Sequence, residues 1–163
     1  MAAVTFVADT GPLIALAKID QLVLLERLFG QVSIPTAVMQ ESLARQSLEA
    51  RHIRQALKQY ITVADPTIPA AKVKLATLNL DLGEAEAVAL AAEHECPLLI
   101  DESAGRKAAS QLGVHVIGTI GVLLRAKLTG HIGLVMPVLL ELQQRGYWLS
   151  EPLLQQAREL AKE

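Results

Sequence analysis

An extended run near the start of the chain, VTFVA, leads straight into Asp9, is broken by Thr10-Gly11-Pro12, and is followed by apolar residues at helical spacing, Leu13, Ile14, Leu16 and Ala17. Such a run reads as a buried strand, and the break sets Asp9 at its carboxyl end. In open sheets flanked by helices, that end carries the crevice where ligands bind. The pattern recurs. CPLLI ends on Asp101-Glu102 before a helical stretch, and VHVI ends on Gly118-Thr119 before another.

The intervening segments fill in the alternation. Helical signal resumes after Asp20 through Leu22, Leu25, Leu28 and Phe29, and Gly30 stops it. Residues 32–34 form a short strand, Pro35-Thr36 mark its exit and the next helix cap, and the helix from 37 to about 46 contains Glu41. Residues 49–59 read as a helix with Ile53, Ala56, Leu57 and Tyr60 on one side, and residues 61–63 as a strand. A proline-containing loop over 64–70 and a short helix around 71–78 follow. A turn at 79–83 then opens GEAEAVALAA, which is apolar nearly all round and therefore central. Helices are expected at 103–112, 120–128, 134–145 and 152–161, with Ser150 capping the last. Strands alternating with helices imply right-handed crossovers and a mainly parallel sheet, so their carboxyl ends share one edge.

With 163 residues and no repeat, low-complexity tract or long linker, the chain reads as one domain over 1–163. The helices from about 133 onward are appended to its core. Apolar residues make up 52% but aromatics only 3%, which points to a core of Leu, Ile, Val and Ala. The lone Cys96 cannot pair internally and reads as a small buried residue, suiting a reducing cytoplasm. No apolar run approaches the roughly 18 residues that span a bilayer, and no basic leader precedes the first one. A net charge of −2 gives no global attraction for a polyanion, so a nucleic-acid partner must be held by a local basic patch or by bound metal.

Asp9 and Asp101 each follow a buried strand and emerge at the shared edge. Glu84 joins them if its helix starts near Gly83, and Glu41 lies one turn into the helix after the second strand. Carboxylates gathered this way repel unless a cation or proton lies between them. Oxygen donors without a neighbouring His or Cys suit magnesium or manganese. Two such ions about 4 Å apart activate a water and stabilise the leaving oxygen of a phosphodiester. Each residue has a plainer reading. Asp9 reads as well as a turn carboxylate capping its helix, Glu84 as an acid favoured by the helix dipole, and Glu41 as a solvated helix residue. Glu86, two residues on from Glu84, faces another way. Asp101 and Glu102 leave their strand on opposite sides, and either fits as the ligand.

Thr10 and Thr119 follow strands at the same edge, as helix caps or as hydroxyls that orient a carboxylate. Arg106 and Lys107 lie one turn beyond Asp101-Glu102, as solvated charges or as a grip on phosphate. Arg51, Arg54 and Lys58 form a basic stripe that reads as a wet face or a nucleic-acid track. His52, His94, His115 and His131 are scattered without zinc spacing. Leu153, Leu154, Ala157, Leu160 and Ala161 form a stripe that packs on the core or on a partner.

The ordered set VADTGPLIALAKI, VSIPTAVMQE, LGEAEAVALA, LLIDESAGRKAA and VIGTIGVLLRAK resembles the PIN-domain superfamily, and within it the prokaryotic DUF3368 branch of VapC-like proteins. The resemblance runs from Val4 to about Lys127, with a continuation through Trp148. It implies a three-layer α/β/α fold around a mainly parallel sheet and a metal-dependent ribonuclease site. Asp9, Glu41, Glu84 and Asp101 match the family's acids in order, Glu102 neighbours the fourth, and Thr119 falls where a hydroxyl stands near the metal. Many members have Asp in place of Glu84. Similar proteins are commonly toxins blocked by a small antitoxin, and they often dimerise.

Two functions follow as expectations. One is an endoribonuclease using Mg2+ or Mn2+, with RNA as substrate, a small antitoxin and a second copy as protein partners, and no membrane association. The other is a non-catalytic PIN-like module that binds nucleic acid or protein. A phosphoacceptor receiver domain is disfavoured, because Val63 is followed by Ala64 where such a domain places an acid.

Overall fold

The computed structural model describes residues 3–67 and 79–163. The helix expected over 71–78 and part of the loop before it lie outside the described residues. The strands are β1 (Val7–Ala8), β2 (Val32–Ile34), β3 (Ile61–Val63), β4 (Leu98–Leu99) and β5 (Val116–Ile117). They form one sheet in the order β3-β2-β1-β4-β5 with every pairing parallel. The helices are α1 (Thr10–Lys18), α2 (Val23–Phe29), α3 (Thr36–Ser42), α4 (Leu48–Ala56), α5 (Leu82–His94), α6 (Ser103–Gln111), α7 (Thr119–Leu128), α8 (Met136–Gln144) and α9 (Glu151–Ala161).

The chain moves outward from β1 through β2 to β3, then crosses back past β1 to β4 and β5. Right-handed crossovers lay the helices of these two progressions on opposite faces of the sheet, which gives the three layers. On one side α1 packs against α4, and α2 against α7; on the other, α5 packs against α6. The strand order reverses between β1 and β4. In a doubly wound sheet that point, outside the strands' carboxyl ends, is where a crevice opens. Asp9 follows β1 and Asp101 follows β4 by two residues, so the acids expected to meet stand at the reversal.

The core is aliphatic, as the composition implies. Leu13, Leu16, Leu24, Leu25, Ile34, Leu98, Leu99 and Ile100 are fully enclosed. The aromatic exceptions among the described residues include Tyr60, which is buried, and Phe6, which stacks on Phe29 with ring centroids 4.0 Å apart. α5 buries Gly83, Ala85, Val88, Leu90 and neighbouring alanines on several sides, as a helix without a polar face must. Gly30 ends α2 at φ +73°, a conformation glycine adopts without steric cost.

The helix expected over 49–59 ends at Ala56, and other helices depart from expectation as well. The helix expected to reach about residue 46 stops at Ser42, because Ser47 caps the next helix and must be extended to do so, at φ −138°. The stripe on the last helix divides. Leu154, Ala157 and Ala161 are buried, whereas Leu153 and Leu160 remain exposed. Among the described residues, no helix is long and apolar enough to cross a membrane.

Candidate metal centre at the switch point

Asp9 stands at the N-cap position of α1, with extended backbone, but its side chain makes no capping hydrogen bond. Its backbone amide donates to the Leu99 carbonyl at 2.9 Å, which fixes it against the end of β4. The residue is only 5% exposed, and its Oδ1 is buried without a hydrogen-bond partner. Burial pushes its pKa from 3.8 to about 7; the nearby Thr10 amide opposes the shift, and the charges of Glu84, Asp81 and Glu41 add to it. The capping reading therefore does not describe what this carboxylate does.

Thr10 and Glu41 are brought together across 31 positions, the Thr10 Oγ1 donating to Glu41 Oε2 at 3.2 Å. Thr10 is thus the first residue of α1, not its cap, and its hydroxyl is bonded to a carboxylate. Glu41 closes on the start of α5, where a Cβ built on Gly83 would lie 2.9 Å from Glu41 Oε2 and 3.5 Å from Asp81 Oδ1. The missing side chain at Gly83 is what lets both carboxylates approach.

Asp81 caps α5, its Oδ1 accepting the Glu84 amide at 2.8 Å. Asp81 was not among the expected site residues, although the spacing Asp81-x-x-Glu84 is a capping-box pattern and marks this helix start. Glu84 is partly buried. That burial, followed by the charge of Asp81 and then those of Glu102 and Glu41, raises its pKa to about 7. Asp9, Glu41, Asp81, Glu84 and Glu102 therefore share one electrostatic environment.

Asp101 is placed differently. Ala8 pairs with Leu99, so Asp9 is level with Ile100 along the sheet. Side chains alternate with a period of two along a strand, so the alternation of β4, carried on past its end at Leu99, would give Glu102 the parity of Asp9 and Asp101 the opposite one. Asp101 turns toward α7, where its Oδ1 accepts the Thr119 amide at 2.8 Å and its Oδ2 accepts the Thr119 hydroxyl at 2.6 Å. The Tyr147 hydroxyl donates to the same Oδ2 at 2.7 Å. Burial, and then the Asp101 carboxylate, push the Tyr147 pKa far above its ordinary value, so it remains a proton donor. Nothing local in the sequence signals Tyr147, which comes from 46 positions away.

Arg106 donates to the Ile100 carbonyl at 3.0 Å, and Lys107 is exposed. Asp101, Glu102, Arg106 and Tyr147 line a groove of about 840 Å³ that continues along Trp148, Leu153 and Leu160. The groove adjoins the carboxylate cluster but does not include Asp9, Glu41 or Glu84. As the side chains stand, no three acids among the described residues converge closely enough to hold one ion.

An all-parallel, doubly wound sheet that collects carboxylates at its switch point defines an α/β/α domain with an acidic crevice. The chain belongs to the PIN-domain family: the DUF3368 model, described as a PIN domain, matches residues 5–163. PIN domains are generally nucleases and typically use divalent metal ions. No curated protein matches the chain.

Proposed function

We propose that this protein is a metal-dependent endoribonuclease that hydrolyses RNA phosphodiester bonds. We assign it to the cytoplasm, as the toxin of a toxin-antitoxin pair built on one PIN-like domain. The observation that carries the reading is Asp9, whose Oδ1 is buried and unpartnered amid other acids. Leaving such an oxygen unsatisfied is costly, and a hard cation answers both that oxygen and the surrounding negative charge.

The all-oxygen donor set fits Mg2+ or Mn2+. Asp9, Glu41 and Glu84 would hold the ion, with Asp101 or Glu102 contributing from the end of β4. When bound, it supplies positive charge beside the scissile phosphate and lowers the pKa of a water. Thr10 keeps Glu41 turned inward, and Asp81 fixes the start of α5 so that Glu84 faces the crevice. Thr119 supports the site through Asp101. Arg106 and Lys107 supply cationic contacts for the RNA backbone. A small antitoxin and a second copy of the chain are the protein partners this function assigns.

Cleavage of RNA in Mn2+ by the parent and by Asp9→Asn tests the proposal. The variant should keep its circular dichroism spectrum and lose cleavage; a variant that cuts as fast as the parent would refute it. That no three acids converge among the described residues favours a second reading, a non-catalytic PIN-like binding module. Calorimetric titration with Mn2+ separates the two, since the nuclease shows uptake that depends on Asp9 and the module shows none. Carboxylates with no cation between them repel, so the spread seen here also fits the nuclease.

A further inference from the structure

The connection between α8 and α9 reaches back to the acidic site through one side chain, Tyr147. Its hydroxyl and that of Thr119 both donate to Asp101 Oδ2, while the Thr119 amide takes Oδ1. A carboxylate has about four lone-pair sites, so three of those on Asp101 are committed to protein donors. Thr119 is buried, and Gly118, on which a Cβ would stand 2.8 Å from Asp101 Oδ1, leaves the carboxylate space to lie against the start of α7. Asp101 therefore behaves as an anchor. The residue after it, Glu102, is the extended N-cap of α6 and lines the groove beside Asp101, and its charge acts on Glu84; strand alternation carried on past Ile100 would set it on the Asp9 side of the sheet.

We propose that Tyr147 is a positioning residue of the acidic site. By holding Asp101 together with Thr119, it turns the strand exit so that Glu102, not Asp101, faces Asp9 and Glu84 as the fourth donor toward a divalent cation. The proposal rests on the metal-site reading above. It assigns the ambiguous pair Asp101-Glu102 two separate roles and gives the C-terminal helices a part in the site. Ligand-orienting partners of this kind change metal affinity by about tenfold or more when removed.

The test is Mn2+ calorimetry on the full chain, with urea unfolding alongside, for the parent, Tyr147→Phe, Glu102→Gln and the double variant. Tyr147→Phe keeps the ring and deletes only the hydroxyl. It should bind Mn2+ about tenfold more weakly at a nearly unchanged urea midpoint. Because Tyr147 acts through Glu102, the double variant should bind no more weakly than Glu102→Gln alone. Parent-like affinity in Tyr147→Phe would overturn the positioning role and leave the nuclease reading standing. So would losses that multiply in the double variant, since Asp101 would then be acting directly. A parent that takes up no Mn2+ would overturn both.

Discussion

Asp9 is a carboxylate held where ionisation is unfavourable. Its folded-state pKa of about 7 lies above the ordinary 3.8, with burial as the first cause. The folded protein therefore binds this proton more tightly than the unfolded chain does, and stability falls as pH rises from about 4 to about 7. Asp9→Asn, which stays neutral, should stabilise the metal-free protein by about 1–3 kcal/mol near pH 8, with the gain disappearing near pH 4. Urea unfolding at the two pH values measures this, and an unchanged or lower midpoint near pH 8 would contradict it. Gly83 offers a second residue-scale test. Gly83→Ala gains about 0.5–1 kcal/mol of helix stability, but its Cβ would displace the flexible end of Glu41. We expect preserved stability with weaker Mn2+ binding, and a calorimetric titration matching the parent would rule out this role for Glu41.

At the scale of elements, the C-terminal helices are tied to the core by another carboxylate. Glu163 accepts from Lys127 Nζ at 2.8 Å, and from the amides of Val135 and Met136 at 2.8 and 2.9 Å at the start of α8. Desolvation would raise its pKa, but these donors outweigh it and hold the group at about 2. The stabilisation is present above the ordinary value of 4.5 and is lost as pH falls from there toward 2. Glu163→Ala should cost about 1–3 kcal/mol at neutral pH, and the difference should shrink near pH 3. Equal losses at both pH values in denaturant melts would mean that charge plays no part. Other devices at this scale were legible locally. Ser150 caps α9 as its position before Glu151-Pro152 suggested, and Asp81-x-x-Glu84 announces α5 to a reader who looks for the capping pair.

At the scale of the whole molecule, the candidate site lies where the strand order reverses between β1 and β4, near residues from both halves of the chain. A ligand that binds only this assembled arrangement stabilises the whole fold by mass action. Mn2+ at about a hundred times its dissociation constant should add roughly 2.7 kcal/mol, or about 5–10 °C in the melting temperature of a domain of this size. Asp9→Asn should show no such rise. A scanning-calorimetry shift of equal size in both proteins would place the cation elsewhere.

By itself the sequence determined the alternation of buried strands and helices, and with it the parallel sheet and the acids at strand ends and helix starts. Asp9, Thr10, Glu41 and Glu84 were legible for that reason, since their position follows from the local pattern. Only the tertiary structure decided what Asp101 meets, which is Thr119 and Tyr147. Strand periodicity places Asp101 and Glu102 on opposite sides, but which side meets Asp9 depends on the register of β4 against β1, and no local pattern encodes that pairing. The role of Tyr147 was hidden for the same reason: a hydrogen bond across 46 positions is made by the packing of α8 and α9 onto the core, not by any neighbour in the chain.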